Sequence, residues 1–332
     1  MDTVYQAFCM SRKDNGEMHG GIVELPAMSP AAGEVCIKVA YSSLNYKDAL
    51  AVTNKGRILR RFPLVPGIDA TGTISASMDS RFAEGDAVLV TGCGIGEDRD
   101  GGFAEYLKVP ADWVVPLPSG LSIRDSMLLG TAGFTAALAL RRMQENHQHP
   151  DLGPVIVTGA SGGVGSLSIL LLKKAGYTVT AFTSCAENEE YLHGLGADEI
   201  FEASAVPQSL RPLESVCWGG AIDTLGGHIL DWLTRTVTSW GNIASIGLAA
   251  GSEVHATVMP YILRGVSLLG ISSANCPMAW RQVIWQGLAE HMKTPQLEGI
   301  THAEITLPQL PDYAQRMLSN QFRGRVLVRL AP

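Results

Sequence analysis

Several common functional signatures are missing from this 332-residue chain. Its six cysteines, Cys9, Cys36, Cys93, Cys185, Cys217 and Cys276, form no C-x-x-C pair, which removes a zinc ribbon and a thioredoxin-like redox site. A reduced set of mostly buried thiols is expected instead. None of the eight histidines stands in H-E-x-x-H. Apolar runs are all broken by Gly, Thr or charge before the ~18 residues a membrane-spanning helix needs, so no membrane partner is expected. Positive charge is in deficit. The formal net charge of −7 gives no reason to expect nucleic acid as a partner. Met1-Asp2-Thr3-Val4-Tyr5 has no basic segment followed by an apolar stretch, so no secretory signal is read and a cytoplasmic location is expected. Repeats and low-complexity segments are absent too.

What is present describes a globular α/β chain. Hydrophobic residues make up 46% and charged residues 17%, and the length suits two domains with real cores. Short β-like runs at 34–39, 72–75, 87–90 and 113–115, punctuated by Gly and Pro, predict a β-rich first domain. Residues 127–138 read as a helix of small and apolar side chains. Strand and helix patterns then alternate. Strands are predicted at 155–158, 178–182, 199–201, 221–223, 242–246 and 267–271, with helices at 164–175, 187–195 and 229–236. Such alternation predicts a doubly wound parallel sheet. From about residue 303 the tail returns to β character, which predicts that one domain is built from both chain ends. The expected division is 1–125 and 298–332 for that domain, with a dinucleotide-binding domain at 126–297 between them.

The strongest motif lies at Thr158-Gly159-Ala160-Ser161-Gly162-Gly163-Val164-Gly165. Ala160 takes the first glycine place of the dinucleotide fingerprint, and Gly162 and Gly165 take the second and third. A strand before and a helix after would aim backbone N–H groups at a pyrophosphate. Ser161, Gly162, Gly163 and Val164 are therefore the expected phosphate contacts, through backbone geometry.

The strings Leu44-Asn45-Tyr46-Lys47-Asp48, Pro66-Gly67-Ile68-Asp69-Ala70-Thr71-Gly72, Gly130-Thr131-Ala132-Gly133-Phe134-Thr135, Val258-Met259-Pro260-Tyr261-Ile262-Leu263-Arg264-Gly265 and Asn320-Gln321-Phe322-Arg323-Gly324-Arg325 stand in a telling order. With the glycine turn, they resemble the medium-chain dehydrogenase/reductase superfamily. More narrowly, they resemble its zinc-free acryloyl-CoA reductase branch, whose members are often called quinone oxidoreductases. The resemblance implies a β-rich GroES-like catalytic domain plus a Rossmann domain. It also implies hydride transfer from NADPH to the β-carbon of acryloyl-CoA or a similar small 2-enoyl-CoA. Zinc-dependent relatives hold their metal where this chain has Asn45 to Asp48 and Gly67 to Asp69, so no metal is expected. Reduction of an activated C=C bond needs none, because the carbonyl takes up the developing charge. Two other readings stay open: a quinone or enone reductase without a CoA requirement, and a non-enzymatic, crystallin-like NADPH-binding protein.

The resemblance also distributes roles. Tyr46, beside Asn45, is the candidate for nicotinamide contact or proton donation, against the alternative of a core tyrosine. Thr135, Leu248, Ile262, Ser273 and Asn320 fall at cofactor contacts. Thr183-Ser184-Cys185 stands where relatives place a Ser/Thr-Gly-Arg grip on the adenosine 2′-phosphate, and a second arginine place falls on Glu199. NADPH is the expected cofactor, with NADH or dual use open. The basic residues Lys55, Arg57, Arg60 and Arg61 suggest a clamp for coenzyme A phosphates; Lys55, Arg57, Arg61 and Arg325 are the expected substrate contacts. Asp69 reads as a turn cap. The apolar strand at 267–271 should end the sheet and pair with a symmetry mate in a homodimer.

Overall fold

The computed structural model describes residues 4–207 and 211–330. The first three residues, read above for a leader, lie outside that range. The chain divides into two compact units, one of residues 1–131 and 274–332, the other of residues 132–273.

The first unit is β-rich. Val4–Arg12 and Met18–Pro26 form an antiparallel pair. A seven-stranded sheet runs Thr301–Ile305, Arg325–Arg329, Glu34–Leu44, Asp69–Ser77, Ala87–Thr91 and Val115–Pro116, with Tyr106–Pro110 also paired to Glu34–Leu44. The two chain ends meet in this sheet, because Val326 pairs with Leu44 and Arg329 with Tyr41. Val35, Ile37, Val39, Val88, Val90, Val326 and Val328 fill its core. Three of the four short β-like runs that predicted this domain, at 34–39, 72–75 and 87–90, lie in strands of this sheet.

The helix Met278–His291 also belongs to this unit, and here the expected boundary at 297 moves to 273. The reason is Arg281, which is 1% exposed and donates to Thr91 O and Thr91 Oγ1, each at 2.9 Å. A buried guanidinium on that helix ties it to the β-rich sheet. The expected boundary at 125 likewise moves to 131. The helix Ile123–Glu145 is broken at Gly130, whose φ of 50° and ψ of −154° are not helical.

The second unit carries six parallel strands in the order Glu199–Glu202, Val179–Thr183, Val155–Val157, Trp218–Asp223, Val237–Ser245, Ser267–Gly270. Numbered by sequence these are 3-2-1-4-5-6, the doubly wound order of dinucleotide-binding sheets. The order reverses between Val155–Val157 and Trp218–Asp223. Ligands in such sheets bind beyond the C-terminal strand ends at that reversal. The expected sixth strand is indeed the sheet edge.

Candidate active site

Each unit holds its own cluster of candidate side chains. In the first, Leu44 ends its strand and Asn45 turns the chain into the helix Tyr46–Val52. Asn45 at the cap and Asp48 three places on explain the start: Asp48 Oδ2 accepts the Asn45 backbone N–H at 2.9 Å. Helical spacing buries Asp48, Ala49 and Val52, and leaves Tyr46 47% exposed. Tyr46 is thus no core tyrosine.

Under that helix lies a buried polar network. Asp69 Oδ2 accepts from Ser43 Oγ at 2.6 Å, Asn45 Nδ2 at 2.8 Å and the Thr131 N–H at 2.9 Å. Its other oxygen accepts from Thr131 Oγ1 at 2.6 Å. Arg325 donates to Asn45 Oδ1 at 3.1 Å, Leu128 O at 2.8 Å and Met127 O at 3.3 Å. The helix break at Gly130 frees these backbone groups from helical partners. Only glycine fits there, since a Cβ would lie 2.6 Å from Asp69 Oδ2 and 2.8 Å from Arg325 Nη2.

Asp48 adds a second buried carboxyl, accepting from Asn45 N–H, Asn45 Nδ2 and the Ile68 N–H at 2.9 to 3.0 Å. Burial, then the neighbouring Asp69, push it up to about 7, against the pull of those three donors. Burial draws Arg325 down, while Asp69 and Asp48 draw it back.

This network corrects three expectations. Arg325 is 2% exposed and spends its donors inside the fold, so it is a structural cation and not a substrate contact. Asn45, also buried, caps the helix and bridges Arg325 to Asp69, so it positions Tyr46 and does not itself face a ligand. Asp69 is the hub of the network and not a turn cap. The sequence signal for it was an acid inside the apolar strand opening Ile68-Asp69-Ala70, which a turn reading overlooked.

Of the basic cluster, Lys55, Arg57 and Arg60 are exposed. Arg61 is instead committed to the Asp98 carbonyl at 2.9 Å, the Pro63 carbonyl at 3.0 Å and Asp100 at 3.2 Å. That makes it a loop tie. Asn320 is exposed and left-handed, with φ of 53°.

In the second unit, Thr158 and Asp223 clamp the two strands that flank the order reversal. Thr158 Oγ1 donates to Asp223 Oδ1 at 2.7 Å, and Thr224 Oγ1 donates to the Thr158 carbonyl at 2.9 Å. Burial raises the Asp223 carboxyl, opposed by bonds from Thr158, Leu225 and Gly226. Past this clamp, Gly159 takes φ of 57° and the chain enters the helix Gly163–Lys174.

The residue capping that helix is Gly162, with no side-chain cap bond and no acid in the first turn. Among the described residues no side chain caps the first-turn N–H groups, so an anion can take them. A Cβ on Gly162 would meet only the Gly159 carbonyl, at 3.3 Å, and would project into the space an anion needs. Gly165 differs: a Cβ there would press on the backbone of Gly159 and Ala160. One glycine leaves room for a ligand; the other lets helix and strand touch. The residues therefore fit a pyrophosphate.

Other expected cofactor residues scatter more widely. Thr183 is buried, and its Oγ1 accepts the Cys185 N–H at 3.2 Å and donates to the Cys185 carbonyl at 3.2 Å. It closes the turn after its strand, while Ser184 and Cys185 are exposed. Glu199 is misplaced in the sequence reading. It pairs with Thr180 at the N-terminal start of its strand, whereas Glu202 pairs with Thr183 at the C-terminal end. Leu248 and Ile262 are 66% and 73% exposed, so neither is plain core. Thr135 is buried and Ser273 half-buried.

Residues 31–119 match the family described as Alcohol dehydrogenase GroES-like domain, and residues 163–290 match Zinc-binding dehydrogenase. Among the described residues no three His, Cys, Asp or Glu side chains converge as a metal-ligand set. Asp48 and Asp69 are saturated by N–H and O–H donors, so the residues at this place do not fit zinc. Acrylyl-CoA reductase AcuI of Ruegeria pomeroyi is 40% identical over 95% of this chain and 96% of its own length. The YhdH oxidoreductase of Salmonella enterica, solved in complex with NADP, is 43% identical with a TM-score of 0.94, covering 98% of this chain and 100% of its own. Bacillus subtilis YhfP, solved with NAD bound, is 43% identical with a TM-score of 0.95, covering 99% and 100%. With this likeness running through both units, the chain belongs to the medium-chain dehydrogenase/reductase superfamily, within its group of acrylyl-CoA reductase and YhdH/YhfP oxidoreductase relatives.

Proposed function

We propose that this chain is an NADPH-dependent reductase of acryloyl-CoA or a similarly small 2-enoyl-CoA, forming propanoyl-CoA or its analogue. The observation that carries the reading is the 40% identity with Acrylyl-CoA reductase AcuI over nearly the whole of both chains. The NADP-bound and NAD-bound relatives support NADPH with dual use of NADH.

The bound nicotinamide supplies a hydride for the β-carbon, and a proton is added at the α-carbon. The chain's residues do the rest. First-turn N–H groups of Gly163 and Val164, with Gly162 leaving room, hold the pyrophosphate. Tyr46 is held at the start of its helix by Asn45 and Asp48, with its hydroxyl available for the nicotinamide amide or for the substrate. Exposed Lys55 and Arg57, with Arg60, supply cations for coenzyme A phosphates. The thioester oxygen takes the developing negative charge, which is why no Lewis acid is required.

A screen of NADPH and NADH oxidation over acryloyl-CoA, crotonyl-CoA and simple quinones tests the reading. Turnover with acryloyl-CoA well above that with quinones is expected. Turnover of quinones alone would overturn it, and tight NADPH binding with no turnover would favour a non-enzymatic role.

We further propose a homodimer through the edge strand Ser267–Gly270. Trp240, Val258, Ile262, Leu263 and Leu268 expose apolar surface on this unit, with Trp240 at 74%. Unpaired strand edges with apolar neighbours favour pairing with a second copy. A concentration-independent monomer in sedimentation would refute it.

A further inference from the structure

The C-terminal edge of the parallel sheet carries an acid beside Thr183. Glu202 ends its strand level with Thr183, the last residue of the neighbouring parallel strand. Neighbouring strands lie about 5 Å apart and paired residues share a face. Phe201 and Phe182, the pair one step earlier, stack at 6.0 Å in a cluster with Trp232. Strand alternation therefore turns Thr183 and Glu202 to the opposite face. Glu202 is exposed, and the Ser204 hydroxyl donates to its Oε2 at 3.3 Å.

Thr183 Oγ1 is occupied in its own turn. Lys173 is bound to both oxygens of Asp198, at 2.8 and 2.7 Å. It also lies near the far end of the helix Gly163–Lys174, roughly 15 Å from the first turn at 1.5 Å per residue.

We propose that Glu202 sets this chain's discrimination at the cofactor ribose. Its carboxylate accepts hydrogen bonds from an unmodified 2′-hydroxyl and repels a 2′-phosphate, which brings NADH to parity with NADPH. The proposal rests on reading the glycine turn as the dinucleotide site. In doubly wound sheets an acid normally performs this task from the second strand; here that strand ends in Thr183 and the acid sits on the third. Removing one negative charge near a phosphate dianion at an exposed site should strengthen its binding by about tenfold.

The test is equilibrium binding, by calorimetry, of NADPH, NADH, 2′,5′-ADP and 5′-AMP to the full chain and to Glu202→Gln, Glu199→Gln and Gly162→Val. Glu202→Gln should tighten NADPH and 2′,5′-ADP about tenfold while NADH and 5′-AMP change by less than about threefold. Glu199→Gln, at the other end of the same strand, should leave both ratios unchanged. An unchanged ratio in Glu202→Gln, or a shift in Glu199→Gln alone, overturns the proposal. If Gly162→Val binds every ligand as the native chain does, the dinucleotide site itself is misassigned; loss of binding there with no effect of Glu202→Gln refutes only the role of Glu202.

Discussion

Replacing Asp48 by Asn isolates the most perturbed carboxyl of the first unit. The native carboxyl is raised from the ordinary 3.8 to about 7, by burial first and Asp69 second. A group raised on folding contributes its full stability below the unfolded value. That stability is lost as pH climbs through the native one, because the unfolded chain releases the proton first. At about 1.4 kcal/mol per pH unit, the whole window from 3.8 to about 7 is worth on the order of 4 kcal/mol. Between pH 5 and 8 the loss is about 2.5 kcal/mol. The amide has no such titration, although its Nδ2 hydrogens must face one of the N–H donors of Asn45 or Ile68, a cost of about 1–3 kcal/mol at any pH. The Asp223 carboxyl is raised too, but both proteins carry it and it cancels in their difference. Urea unfolding of both proteins at pH 5, 6, 7 and 8 reads the effect, followed on the transition of the unit that carries Asp48, since two-unit chains need not unfold in one step. The stability of the native chain relative to the variant should fall by about 2.5 kcal/mol across that range. A difference that stays flat, or grows with pH, refutes the assignment of Asp48 as a buried acid with a raised carboxyl.

Gly162→Val should abolish nucleotide binding with little loss of stability, whereas Gly165→Val should destabilise the fold itself, because its Cβ meets backbone; calorimetric binding and thermal melts of both variants separate the two. Tyr46→Phe should fold normally and lose less than ~100-fold in kcat, the size expected of positioning rather than general acid work; a solvent isotope effect that disappears in the variant would contradict this. Cys185→Arg places a cation on the exposed turn after Thr183 and should tighten NADPH about tenfold, about 1.4 kcal/mol, with little change for NADH in the same binding assay.

The local chemistry of this chain was legible without coordinates wherever neighbours in sequence do the work. Thr158 to Gly165 specifies strand, turn and helix by itself, and the alternation of patterns after residue 150 specifies a doubly wound sheet. What only the tertiary structure decided are pairings across long separations, where a side chain's fate depends on partners the sequence does not bring near. Arg325 reads as a ligand contact near the C-terminus, but the sheet pairing of Val326 with Leu44 carries it beside Asn45, where burial forces its donors onto protein oxygens. Arg281 holds the helix Met278–His291 to the β-rich unit through Thr91, about 190 residues earlier, a tie invisible to periodicity. Glu199 and Glu202 show the same limit: three residues along a strand are about 10 Å, and only the register with Thr180 and Thr183 tells which acid stands at the C-terminal end of the strand.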